Sequence, residues 1–130
     1  MIILTLRTDK PEAEIGLYKD SQRLAYHTWQ AHRQLSETIH TEIDNLINSQ
    51  DYKLEDLEGI AVFAGPGSFT GLRIGAAVAN SLAVSLGLNI VSTSGEDWLN
   101  EAVKSLEAGK TDGQVLPVYG SEARTTVQKK

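Results

Sequence analysis

Apolar residues change their spacing repeatedly along this chain, and each change marks an element. Ile2-Ile3-Leu4-Thr5-Leu6 is almost continuously apolar, which predicts a strand covered on both faces. Thr8-Asp9-Lys10-Pro11-Glu12 is turn chemistry. Ala13 to Tyr18 alternates imperfectly, with Ile15 and Leu17 on one side. After a second turn at Lys19-Asp20-Ser21-Gln22, Arg23 to Gln30 sets Leu24, Tyr26 and Thr28 against Ala25, His27 and Trp29. The three segments read as an antiparallel meander. The period then lengthens: Leu35, Ile39, Ile43, Leu46 and Ile47 fall on one side of a helix over Leu35 to Ser49. A polar connector from Tyr52 to Glu58, with Leu54 and Leu57 tucked in, suggests a single helical turn before a strand at Gly59 to Ala64.

A second helix is expected over Thr70 to Leu86, with Gly87 as its C-cap. Gly71, Gly75, Ala79 and Ala83 recur every fourth residue and make a flat groove that a sheet or another helix can approach closely. Leu72, Val78, Leu82 and Leu86 flank it, so the helix is apolar nearly all round and calls for cover on two sides. Part of that cover is expected from a second polypeptide. Leu88 to Thr93 reads as a fifth strand, followed by a helix over Gly95 to Leu106 capped by Ser92 or Ser94. Val115 to Val118 suggests one more short strand, and Gly120 to Lys130 a mobile end. The division expected is a domain over 1–108 and a partly mobile tail over 109–130. Trp29 and Trp98 each sit on an apolar face and are expected in the core.

The order β-β-β-α-β-α-β-α predicts an α/β domain of the ribonuclease H-like plan, which actin-like ATPases also use, with a five-stranded mixed sheet. The corner between the fourth strand and the second helix concentrates the least ordinary residues: Gly65, Gly67, Gly71 and Gly75, with Pro66 between the first two. Two readings follow. Bare backbone at a helix start can receive an anion, and Ser68 or Thr70 can cap the helix. Alternatively, the glycines let a helix lie close to a sheet. Neither nucleotide fingerprint is complete, because Leu72-Arg73 follows Gly71 and Thr70 stands where a dinucleotide motif needs glycine. The packing reading is therefore preferred.

Composition narrows the classes. With 130 residues, 41% hydrophobic and 22% charged, the chain suits one soluble domain. A net charge of −5 argues against a basic surface large enough to hold nucleic acid alone. No cysteine is present, so disulfides and thiolate metal sites are excluded, and a cytoplasmic location is expected. The apolar stretch from Leu72 to Val91 is interrupted by Arg73, Asn80 and Asn89, so no membrane span is expected. His27, His32 and His40 lack carboxylates at ligand spacing. No Gly-x-Ser-x-Gly elbow or His-Glu-x-x-His helix occurs.

Gly65-Pro66-Gly67-Ser68-Phe69-Thr70-Gly71-Leu72-Arg73-Ile74-Gly75 resembles the signature of the TsaB family, also called YeaZ, and Ser36-Glu37 matches at the first helix. The similarity covers roughly residues 1 to 106, the family's N-terminal domain. It implies an actin-like fold and a non-catalytic scaffold and activator in making N6-threonylcarbamoyladenosine on tRNA, beside the anticodon. The implied partners are TsaD, which carries the metal and the chemistry, and the ATPase TsaE, with tRNA met only indirectly. It also implies a helical bundle with TsaD or with a second copy. The interface expected is Ile39, Ile43, Leu46, Ser68, Phe69, Gly71, Leu72, Gly75, Ala79 and Ala83. No catalytic, metal-binding or cofactor-binding residue is expected. Arg7-Thr8-Asp9 replaces the family's Asp-Thr-Ser, and Leu35-Ser36-Glu37 its His-Ser-Glu. The alternative is a nucleotide-binding actin-like ATPase domain. A peptidase reading is disfavoured, because no nucleophile with a base is evident.

Overall fold

The computed structural model describes residues 1–116. Five strands form one mixed sheet: β1 (Ile2–Arg7), β2 (Glu12–Lys19), β3 (Gln22–Gln30), β4 (Gly59–Phe63) and β5 (Asn89–Thr93). Three helices complete it: α1 (Leu35–Ser49), α2 (Phe69–Leu86) and α3 (Trp98–Glu107). The sheet order is β3-β2-β1-β4-β5. β1 runs antiparallel to β2, with Leu4 opposite Leu17, and parallel to β4, with Leu4 opposite Ile60. β5 is parallel to β4.

Alternation along β1 explains the layers. Leu4 and Leu6 face α1 and α2, joining Ile15, Leu17, Ile60, Ile39, Ile47 and Ala79 in one core. Ile3 faces the other way, into a smaller core with Ala61, Val91 and the α3 residues Ala102, Val103 and Leu106. Central β1 is thus covered on both faces, which is why its sequence is apolar without alternation. Thr5 is the exception: it is 1% exposed, and its hydroxyl has no hydrogen-bond partner among the described residues.

The expected elements form within a residue or two, with two corrections. α3 begins at Trp98 rather than Gly95, and neither Ser92 nor Ser94 caps it. Asp97 holds the N-cap place, its carboxylate accepting from the Asn100 side-chain amide at 2.7 Å rather than from a helix backbone N–H. Ser92 is engaged elsewhere, its N–H and hydroxyl both donating to Asp112 Oδ2. The second correction is at Val115, where no strand forms over 115–116; positions 117 and 118 lie outside the described residues. Val115 instead is buried and pinned to α2. Its N–H donates to Asn80 Oδ1 at 2.8 Å, and its carbonyl accepts from Asn80 Nδ2 at 3.0 Å.

Residues 111–116 therefore form a strap. It runs along the outer side of β5, where the Asp112 N–H donates to the Ile90 carbonyl and the Ile90 N–H donates to Thr111 Oγ1. Side chains and loop backbone thus satisfy an edge that would otherwise be bare.

Candidate functional site

The glycine corner is built by close packing of α2 on the turn after β1. Gly65 takes a φ of 104°, a value L side chains resist, and turns the chain out of β4. A Cβ added at Gly67 would stand 2.4 Å from the Asp9 Cβ. One at Gly71 would stand 2.2 Å from the Thr8 carbonyl oxygen, and one at Gly75 the same distance from Thr8 Oγ1. Hydrogen bonds stitch the same surfaces: the Ser68 N–H donates to the Asp9 carbonyl at 2.9 Å, and Thr8 Oγ1 donates to the Gly71 carbonyl at 2.8 Å. Ser68 is the N-cap, its hydroxyl accepting from the Gly71 N–H. The backbone that an anion would approach is thus occupied by the chain's own residues 8 and 9.

Asp9 is itself engaged. Arg7 Nε and Nη2 donate to its two carboxylate oxygens at 2.9 and 3.2 Å. The guanidinium also lies 3.9 Å from the centre of the Phe63 ring, which packs edge-on against Trp98. Burial pulls the Arg7 pKa down, and the hydrogen bond and charge of Asp9 together with the charges of Glu14 and Tyr26 outweigh it, so the net direction is up. Nucleotide at this corner would have to displace a bidentate ion pair and separate α2 from β1. Among the described residues no group of three or more His, Cys, Asp or Glu is arranged to hold a metal.

The expected interface residues divide sharply. Ile39, Ile43, Leu46, Leu72, Ala79 and Ala83 are buried in the chain's own core. Gly71 and Gly75 lie against Thr8. The small-residue stripe expected to receive another polypeptide is therefore covered by this chain's own core and the turn after β1, because glycine at 71 and 75 lets the helix settle directly onto Thr8. Ser68 and Phe69 alone of that set are exposed. The opposite side of α2 is the open one. Val84 is 80% exposed, Phe69 is 48% exposed, and Ala77 and Ser81 are exposed between them. Arg73, set 5.2 Å from the centre of the Phe69 ring, is the sole charge on the helix. With 18 residues at a mean hydropathy of 1.3, α2 has the length and composition of a membrane span, yet its inner side packs on the sheet. The sequence signal for this face was the surplus of apolar residues around the whole helix; its direction was hidden.

Of the histidines, His27 lies 3.0 Å from Glu42 and stacks on Trp29, joining β3 to α1. Trp29 is partly buried and donates to Thr38 Oγ1 at 3.0 Å, whereas Trp98 is buried.

A family described as "TsaD: tRNA N6-adenosine threonylcarbamoyltransferase" matches residues 29–117. At the level of fold, RuvC of T. thermophilus superposes with a TM-score of 0.54 at 11% identity, over 90% of this chain and 83% of its own. Together these place the chain in the ribonuclease H-like, actin-like class to which TsaD-type domains belong. Within that class, the tRNA threonylcarbamoyladenosine biosynthesis protein TsaB of Bacillus subtilis is 29% identical over 119 residues, which is 92% of this chain and 50% of that protein. The solved structure of YeaZ from Pseudomonas aeruginosa superposes with a TM-score of 0.67 at 26% identity, covering 72% of this chain and 43% of its own. The chain belongs to the TsaB/YeaZ family and spans about half the length of the curated relatives it matches.

Proposed function

We propose that this chain is a non-catalytic scaffold and activator in the synthesis of N6-threonylcarbamoyladenosine on tRNA, docking on a TsaD-type transferase through the outer side of α2 and the adjoining face of α1. The observation that carries this reading is the exposed apolar face of α2, from Phe69 through Ala77 to Val84, with Arg73 as the only charge on the helix. Exposed apolar faces of this kind mark surfaces that another protein covers. The non-catalytic role is supported by Asp9, whose two carboxylate oxygens are both taken by Arg7. Transfer chemistry and direct tRNA contact then fall to the partner. TsaE, or a second copy of this chain, would join through the same assembly.

The test is co-migration with a TsaD-type transferase in gel filtration, together with threonylcarbamoyl transfer to tRNA. The native chain is expected to bind and to raise the rate. Val84→Glu changes an exposed side chain and is expected to leave thermal unfolding unchanged while abolishing both effects. A native chain that neither binds nor activates the transferase would overturn the reading.

A further inference from the structure

The turn after β1, the 3-10 turn at His32–Gln34 and the start of α2 border an open cavity of about 350 Å³. Its chemistry is one-sided. Lys10, His32 and Arg33 line it beside Ser68, Thr70 and Ile74, and among the described residues no Asp or Glu contributes to its wall. That is unusual for a chain with 17 acidic and 12 basic residues. Among the described residues neither Lys10 nor Arg33 is in an ion pair. The carboxylate nearest in sequence, Asp9, has both oxygens engaged by Arg7. A third permanent cation, Arg73, opens on an adjoining cleft that shares Thr70 and Ile74. The wall is also held in place. The N–H groups of Ala31 and His32 both donate to the Pro11 carbonyl, at 2.9 and 3.2 Å, which fixes the His32 turn against the Lys10 turn.

We propose that this cavity binds a phosphoryl group. Two permanent cations, a histidine and the Thr70 hydroxyl line it, and the volume holds one compact anion with its first hydration waters. The cleft borders the glycine corner through Ser68 and Gly71 and borders α2 through Thr70 and Ile74, but Lys10 and Arg33 lie on neither, so substituting them tests this site apart from the partner assignment. The same chemistry would receive a free nucleotide or a phosphate of an RNA strand.

The test is a titration of the full chain with pyrophosphate at physiological ionic strength, followed by backbone amide chemical shifts. Saturable shifts at Lys10, His32, Arg33 and Thr70 are expected. Lys10→Gln and Arg33→Gln remove exposed charges and should each weaken binding by roughly tenfold. The double variant should abolish it while keeping the native spectrum elsewhere. AMP and a short single-stranded RNA, titrated in parallel, separate the sources: the free nucleotide if AMP saturates the site at lower concentration, the strand if RNA does. Shifts spread over all lysines and arginines, or shifts that persist in the double variant, would overturn the proposal.

Discussion

A methyl group placed on Gly75 probes the seating of α2 on β1 directly. The alanine Cβ would stand 2.2 Å from Thr8 Oγ1 and 3.3 Å from Thr8 Cβ and Cγ2. No carbon tolerates the first distance. Thr8 is 2% exposed, and its hydroxyl already donates to the Gly71 carbonyl, so it has no free direction in which to retreat. Either Thr8 rotates and that hydrogen bond is lost, or the helix lifts from the sheet. Overpacking of this kind costs about 1–3 kcal/mol, and a lost hydrogen bond about 0.5–1.5 kcal/mol more. Replacing a mid-helix glycine by alanine returns about 1 kcal/mol. The net expectation is a destabilisation of roughly 0.5–3.5 kcal/mol. Thr8→Ala removes the atom at 2.2 Å and leaves the Cβ at 3.3 Å, so the double variant should recover much of the loss. Urea unfolding followed by tryptophan fluorescence, applied to all four members of the cycle, should give a coupling of about 1–2 kcal/mol. If Gly75→Ala is as stable as the native chain, or the two effects simply add, α2 is not seated on Thr8 as described.

Further expectations rest on single groups. Thr5→Val removes a buried hydroxyl without a partner while keeping the branched shape, and should raise stability by about 1 kcal/mol in urea unfolding. Asn80→Ala leaves the Val115 N–H and carbonyl without their partners, and the Val115 amide should lose its protection against hydrogen exchange while β1 amides keep theirs. Burial raises the Tyr26 phenol above its ordinary pKa of 10.0, and Glu14, as hydrogen-bond acceptor and neighbouring charge, raises it further. The unfolded chain therefore ionises first. This contribution is complete below pH 10 and is lost as pH climbs toward the folded-state value. Tyr26→Phe should flatten that decline in the urea midpoint, leaving the part that belongs to Tyr18, whose phenol burial also raises.

How much of this was legible in the sequence depended on which interaction fixed each feature. Periodicity placed α1 at Leu35–Ser49, because five apolar residues define one buried side and the opposite side is polar. β1 was legible for the complementary reason: a strand covered on both faces has no polar side to confuse it. The glycine corner was readable as close packing but not as packing against a particular neighbour. The residues that Gly67, Gly71 and Gly75 meet are Asp9 and Thr8, about sixty positions earlier, and no local pattern encodes that distance. The same limit reversed the direction of α2. Apolar residues encircle the helix, so spacing alone does not say which side the sheet takes. The absence of Cβ atoms, which suggested a landing place for another chain, is what brings the helix against its own sheet. Val115 failed differently. Its hydrogen bonds go to the Asn80 side chain rather than to a strand, and strand propensity does not register a side chain acting as a neighbouring backbone.

The strap over β5 bears on where this polypeptide can be cut. Its N–H and side-chain contacts with Ile90 and Ser92 make residues 111–112 act as a sixth strand in miniature. A chain ended at Ala108 would keep every described helix and strand and still lose the lid on that margin. It would display the free N–H groups of Ile90 and Ser92 beside an apolar slot vacated by Val115, which is the kind of surface on which like molecules stack. For expression work the natural stopping point lies beyond Val115, whatever the secondary-structure boundaries suggest.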